Sequence, residues 1–351
     1  MAHKTLIGGT AYNIVGGKSL VSGTAYNIKK GGTRVNGTGY NINFIPEATA
    51  MLYSTGDFVF QRGDEVESGK TLVNSYTGFE DRSYSSVGAV PWNAQRANIK
   101  NVYCNEEIAP SSMGYWFNNC VNLVKFNIAN FNINNVTNMC YTYHRCTNLT
   151  GSPVCGDKVT NMYCAYRNCY NLTGSPACGD NVTGMTYTYQ NCRNLTGSPV
   201  CGDKVTNMGW TYANCYNLTG SPVCGDKVTS MGSTYQNCRN LTGFPVCGNN
   251  VTNMGSTYKN CTNLAGNAYF YSSTVSNTHN CFYGKNNSRY LNIYIPSGST
   301  TETTVLYNNT YSLVGANITW TNAGTYHYNT VYNIYIYPVA NVAAARAANG
   351  D

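Results

Sequence analysis

Apolar positions recur at a fixed 23-residue step through the middle of the chain, separated by polar and glycine-rich stretches. One ladder is Cys146, Cys169, Cys192, Cys215, Cys238 and Cys261, and leucine follows three places later from Leu149 to Leu264. Methionine keeps the register from Met139 to Met254, and tyrosine from Tyr143 to Tyr258. A unit this short cannot bury its own apolar face, so it must stack on its neighbours, which predicts a solenoid. Within a unit, Leu149 and Val154 are placed on a strand side, with Val159 at the following turn. Met162, Tyr166 and Cys169 stand at i, i+4 and i+7, which predicts one to two turns of α- or 3₁₀-helix with Thr160 or Asn161 as its N-cap. Asn171, Asn194, Asn217, Asn240 and Asn263 are expected to form an asparagine ladder that satisfies buried backbone groups. The first rung, from Met113 to Asn138, is longer, and the last, near Cys281, is degenerate as a cap should be.

A different period governs the start of the chain. Residues 4–44 hold three 14-residue units in which Tyr12, Tyr26 and Tyr40 are in register, as are Ile14, Ile28 and Ile42. Each unit reads as a β-hairpin. Three hairpins bury little alone, so residues 1–45 are assigned to assembly or docking, with those tyrosines as candidate contacts. Residues 46–108 read as a β-rich connecting module with strands at FVFQ, KTLVNSY and NIKNVYC. The solenoid occupies 109–283. Residues 284–351 read as a β-rich cap, with strands in LNIYIP, ANITWT and NTVYNIYIYPV, followed by an Ala-rich tail that is a short helix or a contact arm. The fold class is therefore a β-rich repeat solenoid of leucine-rich-repeat type with short helices, flanked by β modules.

Composition narrows the function. Only 11% of residues are charged, while there are 31 tyrosines and 35 glycines, a make-up suited to adaptable surface contacts. The net charge of +7 is spread without a compact basic run, which weighs against nucleic acid as a partner. The acids of the connecting module (Asp57, Asp64, Glu65, Glu67, Glu80, Asp81, Glu106 and Glu107) read as solvated surface. Eleven of the 16 cysteines fall in two ladders, the second running from Cys155 to Cys247. There they are read as small apolar residues, reduced, as expected of assembly in the cytoplasm, although rungs about 5 Å apart leave a disulfide between neighbouring rungs open by distance. No CxxC pair exists and the four histidines are scattered, so no metal and no cofactor is expected. The opening residues lack the apolar core of a secretory leader, and no stretch approaches the length of a membrane span. No nucleophile motif or phosphate loop appears, which predicts a non-enzymatic protein.

Comparing the units with each other locates a candidate binding face. TGSPVCGDKV hardly varies, whereas variation concentrates between Met and Leu. Two places after Met stand Tyr141, Cys164, Tyr187, Trp210, Ser233 and Ser256. One place after the ladder cysteine stand Thr147, Tyr170, Arg193, Tyr216, Arg239 and Thr262. Aromatics and arginines are what interface hot spots use. The candidate face is therefore Tyr141, Tyr163, Tyr170, Tyr187, Arg193, Trp210, Tyr216 and Arg239.

The segment MGYWFNNCVNLVKFNIANFNINNVTNM resembles a unit of the BspA-like leucine-rich repeats of bacterial surface proteins. The 23-residue units depart from that pattern: Thr-Gly-Ser-Pro replaces the apolar strand start, and Tyr replaces Phe. The N-terminal GGTAYNI triplet is similar to the opening of virion structural proteins in phages of Gram-positive gut bacteria. Together the resemblances imply a phage virion protein, assembled in the host cytoplasm and released by lysis. It would be a homo-oligomer docked to other virion proteins through residues 1–45, displaying its repeats to a host surface glycan or protein or to mucus. The alternatives are a decoration or fibre subunit that binds only virion proteins, and a bacterial surface adhesin.

Overall fold

The computed structural model describes residues 46–351 apart from 128, 129, 244, 309 and 311, together with the backbone of the strands between residues 3 and 40. The chain divides into two units, Met1–Glu47 and Ala48–Asp351. It is β-rich with few and short helices.

In the first unit, β1 (His3–Ile7), β2 (Thr10–Val15), β3 (Lys18–Val21) and β4 (Thr24–Asn27) pair antiparallel in chain order. β5 (Thr33–Val35) and β6 (Thr38–Tyr40) form a separate hairpin. Tyr12, Tyr26 and Tyr40 fall on β2, β4 and β6. Their side chains, and so the candidate assembly contacts, lie outside the described residues.

The second unit begins with β7 (Ala48–Tyr53), β8 (Asp57–Arg62), β9 (Leu72–Thr77), β10 (Asn101–Cys104) and β11 (Lys125–Phe126). They form one sheet in the order β11-β10-β8-β7-β9, parallel between β8, β10 and β11. Alternation along β8 turns Phe58 and Phe60 to one face. There they meet Phe79, Trp92, Trp116, Phe117 and Phe131 in a buried core. The Trp92 indole N–H donates to the Trp116 carbonyl at 2.6 Å, so its polar handle is satisfied inside that core. Of the eight acids, Asp64, Glu65, Asp81, Glu106 and Glu107 are exposed, whereas Asp57, Glu67 and Glu80 are half-buried and paired. Glu80 takes Arg62 in a bidentate pair at 2.7 and 2.8 Å and also accepts the Ala109 N–H. Lys70 bridges Asp57 and Glu67, and all three are half-buried.

From Met113 onward the chain stacks rung on rung. The periodic residues are its core: Met, Tyr, Cys, Leu and Val of each rung are buried, most of them completely. The rings at the tyrosine register stack face to face from Phe117 through Tyr143, Tyr166, Tyr189, Tyr212, Tyr235 and Tyr258 to Phe282, with centroids 5.1–5.7 Å apart. Every ladder thiol from Cys146 to Cys261 donates to a carbonyl of the preceding rung, and all 16 cysteines are free.

The expected helix is absent. Met139 to Cys146 is a run of reverse turns whose N–H groups alternate between two uses. Those of Met139, Tyr141, Tyr143 and Arg145 donate to the next rung at 2.8–3.0 Å, while those of Thr142, His144 and Cys146 close turns on the residue three back. An α-helix would keep every N–H beyond its first four for itself, and two turns rich in Tyr, Thr and Cys do not repay nucleation. Consecutive turns bring Met, Tyr and Cys inward at the same spacing, so periodicity alone could not separate the two. Asn161 does cap, accepting the Tyr163 N–H at 2.9 Å, but it caps a turn.

The strand expected around Val154 is absent as well, for a reason lodged in the tyrosines. The Tyr166 hydroxyl accepts the Val154 N–H at 3.0 Å and donates to the Val154 carbonyl at 2.8 Å. Tyr189 does the same for Ala177, and Tyr212 for Val200. The segment is thus satisfied within its own rung, next to a proline with no N–H to give. The glycine before it turns with φ +77 at Gly174, where a Cβ would lie 2.2 Å from the Ser152 hydroxyl. Side-by-side pairing returns only at the corner, as single parallel bridges from Asn138 to Asn277.

The asparagine ladder exists one turn away from where it was expected. Asn191, Asn214, Asn237 and Asn260 each donate to the carboxamide oxygen of the preceding rung's counterpart, beginning at Asn168, at 2.6–2.8 Å. These asparagines have φ between 58° and 66°, a conformation asparagine tolerates. Of the expected ladder, Asn171, Asn194, Asn217 and Asn240 are exposed and Asn263 is half-buried, and Asn240 donates to the Asn217 carboxamide oxygen at 3.4 Å.

Paired strands resume at β12 (Val246–Cys247) and continue through β13 (Gly266–Phe270), β14 (Leu291–Pro296), β15 (Thr321–Asn322), β16 (His327–Asn329) and β17 (Ile334–Val339), in the order β12-β13-β14-β17-β16-β15. Of ANITWT, only its last threonine is in a strand. Helix α1 (Thr300–Tyr307) is capped by Ser299, and α2 (Val342–Ala348) by Asn341. The Ala-rich tail is thus a short helix. Beyond it the Asp351 carboxylate accepts from the Tyr269 hydroxyl and from Asn267 at 2.6 Å.

Candidate functional site

The turns between Met and Leu carry the variable residues, and their geometry sorts the eight candidates into two rows. In the first, rings follow one another across rungs: Tyr115 to Tyr141 at 5.0 Å, Tyr141 to Tyr163 at 5.4 Å, Tyr163 to Tyr187 at 6.0 Å and Tyr187 to Trp210 at 6.1 Å. All five are half-buried. The row ends at Trp210 because the next two rungs place Ser233 and Ser256 there. Tyr163 belongs to the row by a detour. Its rung has Cys164 two places after Met, and that side chain is wholly buried, so the ring comes from the residue before it.

Two places after Met every rung has a left-handed residue, Cys164, Ser233 and Ser256 included, and four of the row's aromatics stand there. Tyr115, Tyr141, Tyr187 and Trp210 have φ of 65°, 56°, 61° and 59°. They occupy the third position of a reverse turn that needs a left-handed residue, where glycine or asparagine is the cheap choice. Bulky side chains there cost about 1 kcal/mol or more each. The asparagine ladder four residues on shows the cheap choice in use.

The second row pairs arginine with tyrosine. The Arg193 guanidinium lies 4.6 Å from the Tyr170 ring centroid, and Arg239 lies 5.4 Å from that of Tyr216. Both arginines are exposed, and both tyrosines are half-buried. Each pair joins two neighbouring rungs. The structure therefore brings together Tyr141, Tyr163, Tyr187 and Trp210 in one row, and Tyr170 with Arg193 and Tyr216 with Arg239 in another.

Two members went unnoticed in the sequence. Tyr115 stands two places after Met113, so extending the tally by one rung finds it. Arg167 lies 4.8 Å over the Tyr187 ring, and its Nε is buried with no hydrogen-bond partner. Nothing in the spacing marks it. His144 packs on Tyr141 at 5.3 Å. Burial, with help from Arg167 and Arg145, pulls its pKa down to about 4. It is therefore neutral at ordinary pH. Burial likewise pushes the Tyr141 phenol up.

A further aromatic surface lies on the C-terminal sheet. Tyr269, Tyr294 and Tyr337 stack across β13, β14 and β17 at 5.2 and 4.9 Å, and Tyr328 stacks on Tyr335 at 6.1 Å. α2 returns over its edge, placing Arg346 5.7 Å from the Tyr269 ring. Among the described residues no three His, Cys, Asp or Glu side chains gather as metal ligands do, and no helix is long and apolar enough to cross a membrane.

Residues 98–200 match the family described as "Mycoplasma protein of unknown function, DUF285", which covers less than a third of the chain. None of the curated proteins matches. Among solved structures the chain is similar to a leucine-rich repeat protein from Eubacterium ventriosum ATCC 27560, at 12% identity over 81% of this chain and 96% of that one. The TM-score is 0.27.

Proposed function

We propose that this is a non-enzymatic phage virion protein that holds out a solenoid of BspA-like leucine-rich-repeat type, whose aromatic row contacts a host-surface or mucus glycan. Residues 1–45 dock it to other virion proteins and bring copies together. Many weak contacts then add up through copy number. The virion part rests on the N-terminal triplet and the repeats' resemblance. The binding part rests on one observation: four bulky aromatics stand at left-handed turn positions where folding is served better by glycine. Strain of this kind is retained where it positions something. Aromatic rings with one polar edge suit sugar faces, which are apolar above and below and hydroxylated at the rim.

The test is binding of purified protein to host cells, comparing wild type with the Tyr187→Gly/Trp210→Gly variant. Glycine relieves two strained turns, so stability should stay within about 1 kcal/mol of wild type. Binding should fall by on the order of 10-fold or more. Unchanged binding refutes the row as the contact. Absence of binding by wild type, with normal incorporation into particles, favours the decoration reading instead.

A further inference from the structure

The two stretches of each rung differ in charge. The stretches 140–149, 163–172, 186–195, 209–218, 232–241 and 255–264 contain Arg145, Arg167, Arg193, Arg239 and Lys259 and no acid at all. The other stretch holds Asp157, Asp180, Asp203 and Asp226 beside Lys158, Lys204 and Lys227. Among the described residues none of the five cations on the turns lies within ion-pair distance of a carboxylate. Four of them lie instead over a tyrosine ring of a neighbouring rung: Arg167 on Tyr187, Arg193 on Tyr170, Arg239 on Tyr216, and Lys259 on Tyr283 at 5.2 Å.

That arrangement has a consequence for the ligand. A guanidinium lying on an aromatic ring is held in place while its N–H edge stays free for an anion. The entropy of ordering the side chain is then spent before binding. Arg193 and Arg239 occupy equivalent places two rungs apart, a separation of about 10 Å at the usual spacing of stacked strands. In that register the cations, Arg193 and Arg239, alternate with tyrosines, Tyr170 and Tyr216, and this alternation matches a linear polymer with an anionic group on every second unit.

We propose that these turns form the edge that reads an acidic linear polysaccharide, one carrying a carboxylate or sulfate on alternate sugars. The arginines take the acidic groups and the tyrosines take the sugar faces. This rests on the glycan reading above and narrows it to a chemical class. The polymer could come from a host cell wall or from mucus, since both sources share that chemistry.

The probe is a hyaluronan octasaccharide, compared with its carboxyl-reduced form, titrated calorimetrically into the full-length protein. The acidic form should bind, more weakly as salt rises, and the reduced form should bind on the order of 10-fold more weakly or not at all. Arg193→Gln/Arg239→Gln should lose a similar factor. The control Lys158→Gln/Lys204→Gln removes the same charge from the other stretch and should bind as wild type. Equal binding of both octasaccharides overturns the inference, and so does an equal loss in the control. Equal or tighter binding of a single-stranded thymidine octamer reassigns the edge to nucleic acid. If neither octasaccharide binds while host cells still do, and Tyr187→Gly/Trp210→Gly abolishes that, the acidic class is wrong and the adhesion reading stands. If cells do not bind either, adhesion itself falls.

Discussion

The middle rungs and the end rungs satisfy the same backbone in opposite ways. At Val200 the peptide is served by the Tyr212 hydroxyl, at 3.1 and 2.7 Å, and no strand forms. At Val246 the N–H instead reaches the Pro222 carbonyl of the previous rung at 3.1 Å, and strand β12 forms. The price of that pairing is visible in the side chain: the Tyr258 hydroxyl, the counterpart of Tyr212, is buried without a partner. Tyr143, at the other end, is orphaned in the same way, next to strand β11. Where Phe117 replaces tyrosine no hydroxyl needs serving, and β10, the strand before it, pairs on both sides. The two departures from the BspA-like pattern, Thr-Gly-Ser-Pro for the apolar strand and Tyr for Phe, are therefore one coupled change. Losing the strand requires a donor and acceptor from elsewhere, and the phenol supplies both.

Alkaline pH should separate the regions most strongly. Burial pushes the ladder thiols up, Cys155 and Cys201 to about 12 and Cys224 to about 11, and it pushes the stacked phenols up as well. Groups whose pKa is raised by folding contribute stability that is whole below their unfolded values, near 9 for the thiols. It is lost as pH climbs from there through the folded values. With eleven cysteines in two ladders, the middle rungs should open above about pH 9. The Phe/Trp core behind β7–β11 should hold longer. Hydrogen exchange resolved by segment checks this, and simultaneous opening of both regions would count against the comparison.

A smaller effect isolates the hydroxyl itself. Tyr212→Phe strands the Val200 N–H and carbonyl and should cost about 1–3 kcal/mol in urea unfolding. Tyr258→Phe removes a buried orphan and should cost nothing or stabilise. Equal losses at both sites would refute the account of the missing strand. Smallest is the amide ladder. Asn214→Ala breaks two rung-to-rung hydrogen bonds and puts alanine at φ 65°, so it should cost about 1–2 kcal/mol. Asn171→Ala, at an exposed place, should shift the melting midpoint hardly at all.

The rung core was legible because burial selects residue type at every repeat, so Met139, Tyr143, Cys146, Leu149 and Val159 declare themselves by recurrence. What fills the turns was not. Spacing of i, i+4 and i+7 suits a helix and a run of turns equally, and only the rung-to-rung hydrogen bonds decide between them. The asparagine ladder was misplaced for a related reason. Asn168 and Asn171 recur equally well, and recurrence does not say which of them faces the next rung. Of the candidate site, variability between units located the positions of both rows, but Arg167 and the strain at Tyr187 and Trp210 were invisible, being properties of backbone angles and of neighbours 20 residues away.

From its sequence alone the chain specifies a repeat of 23 residues, a stack to bury it, and the residues inside that stack, because the hydrophobic effect acts on composition and register. Tertiary structure alone decided that the rungs are turns, that a phenol stands in for a missing strand, and that cations lie on rings across rungs. Those outcomes depend on which polar group lies within about 3 Å of which, and hydrogen bonds reward geometry that no linear pattern encodes.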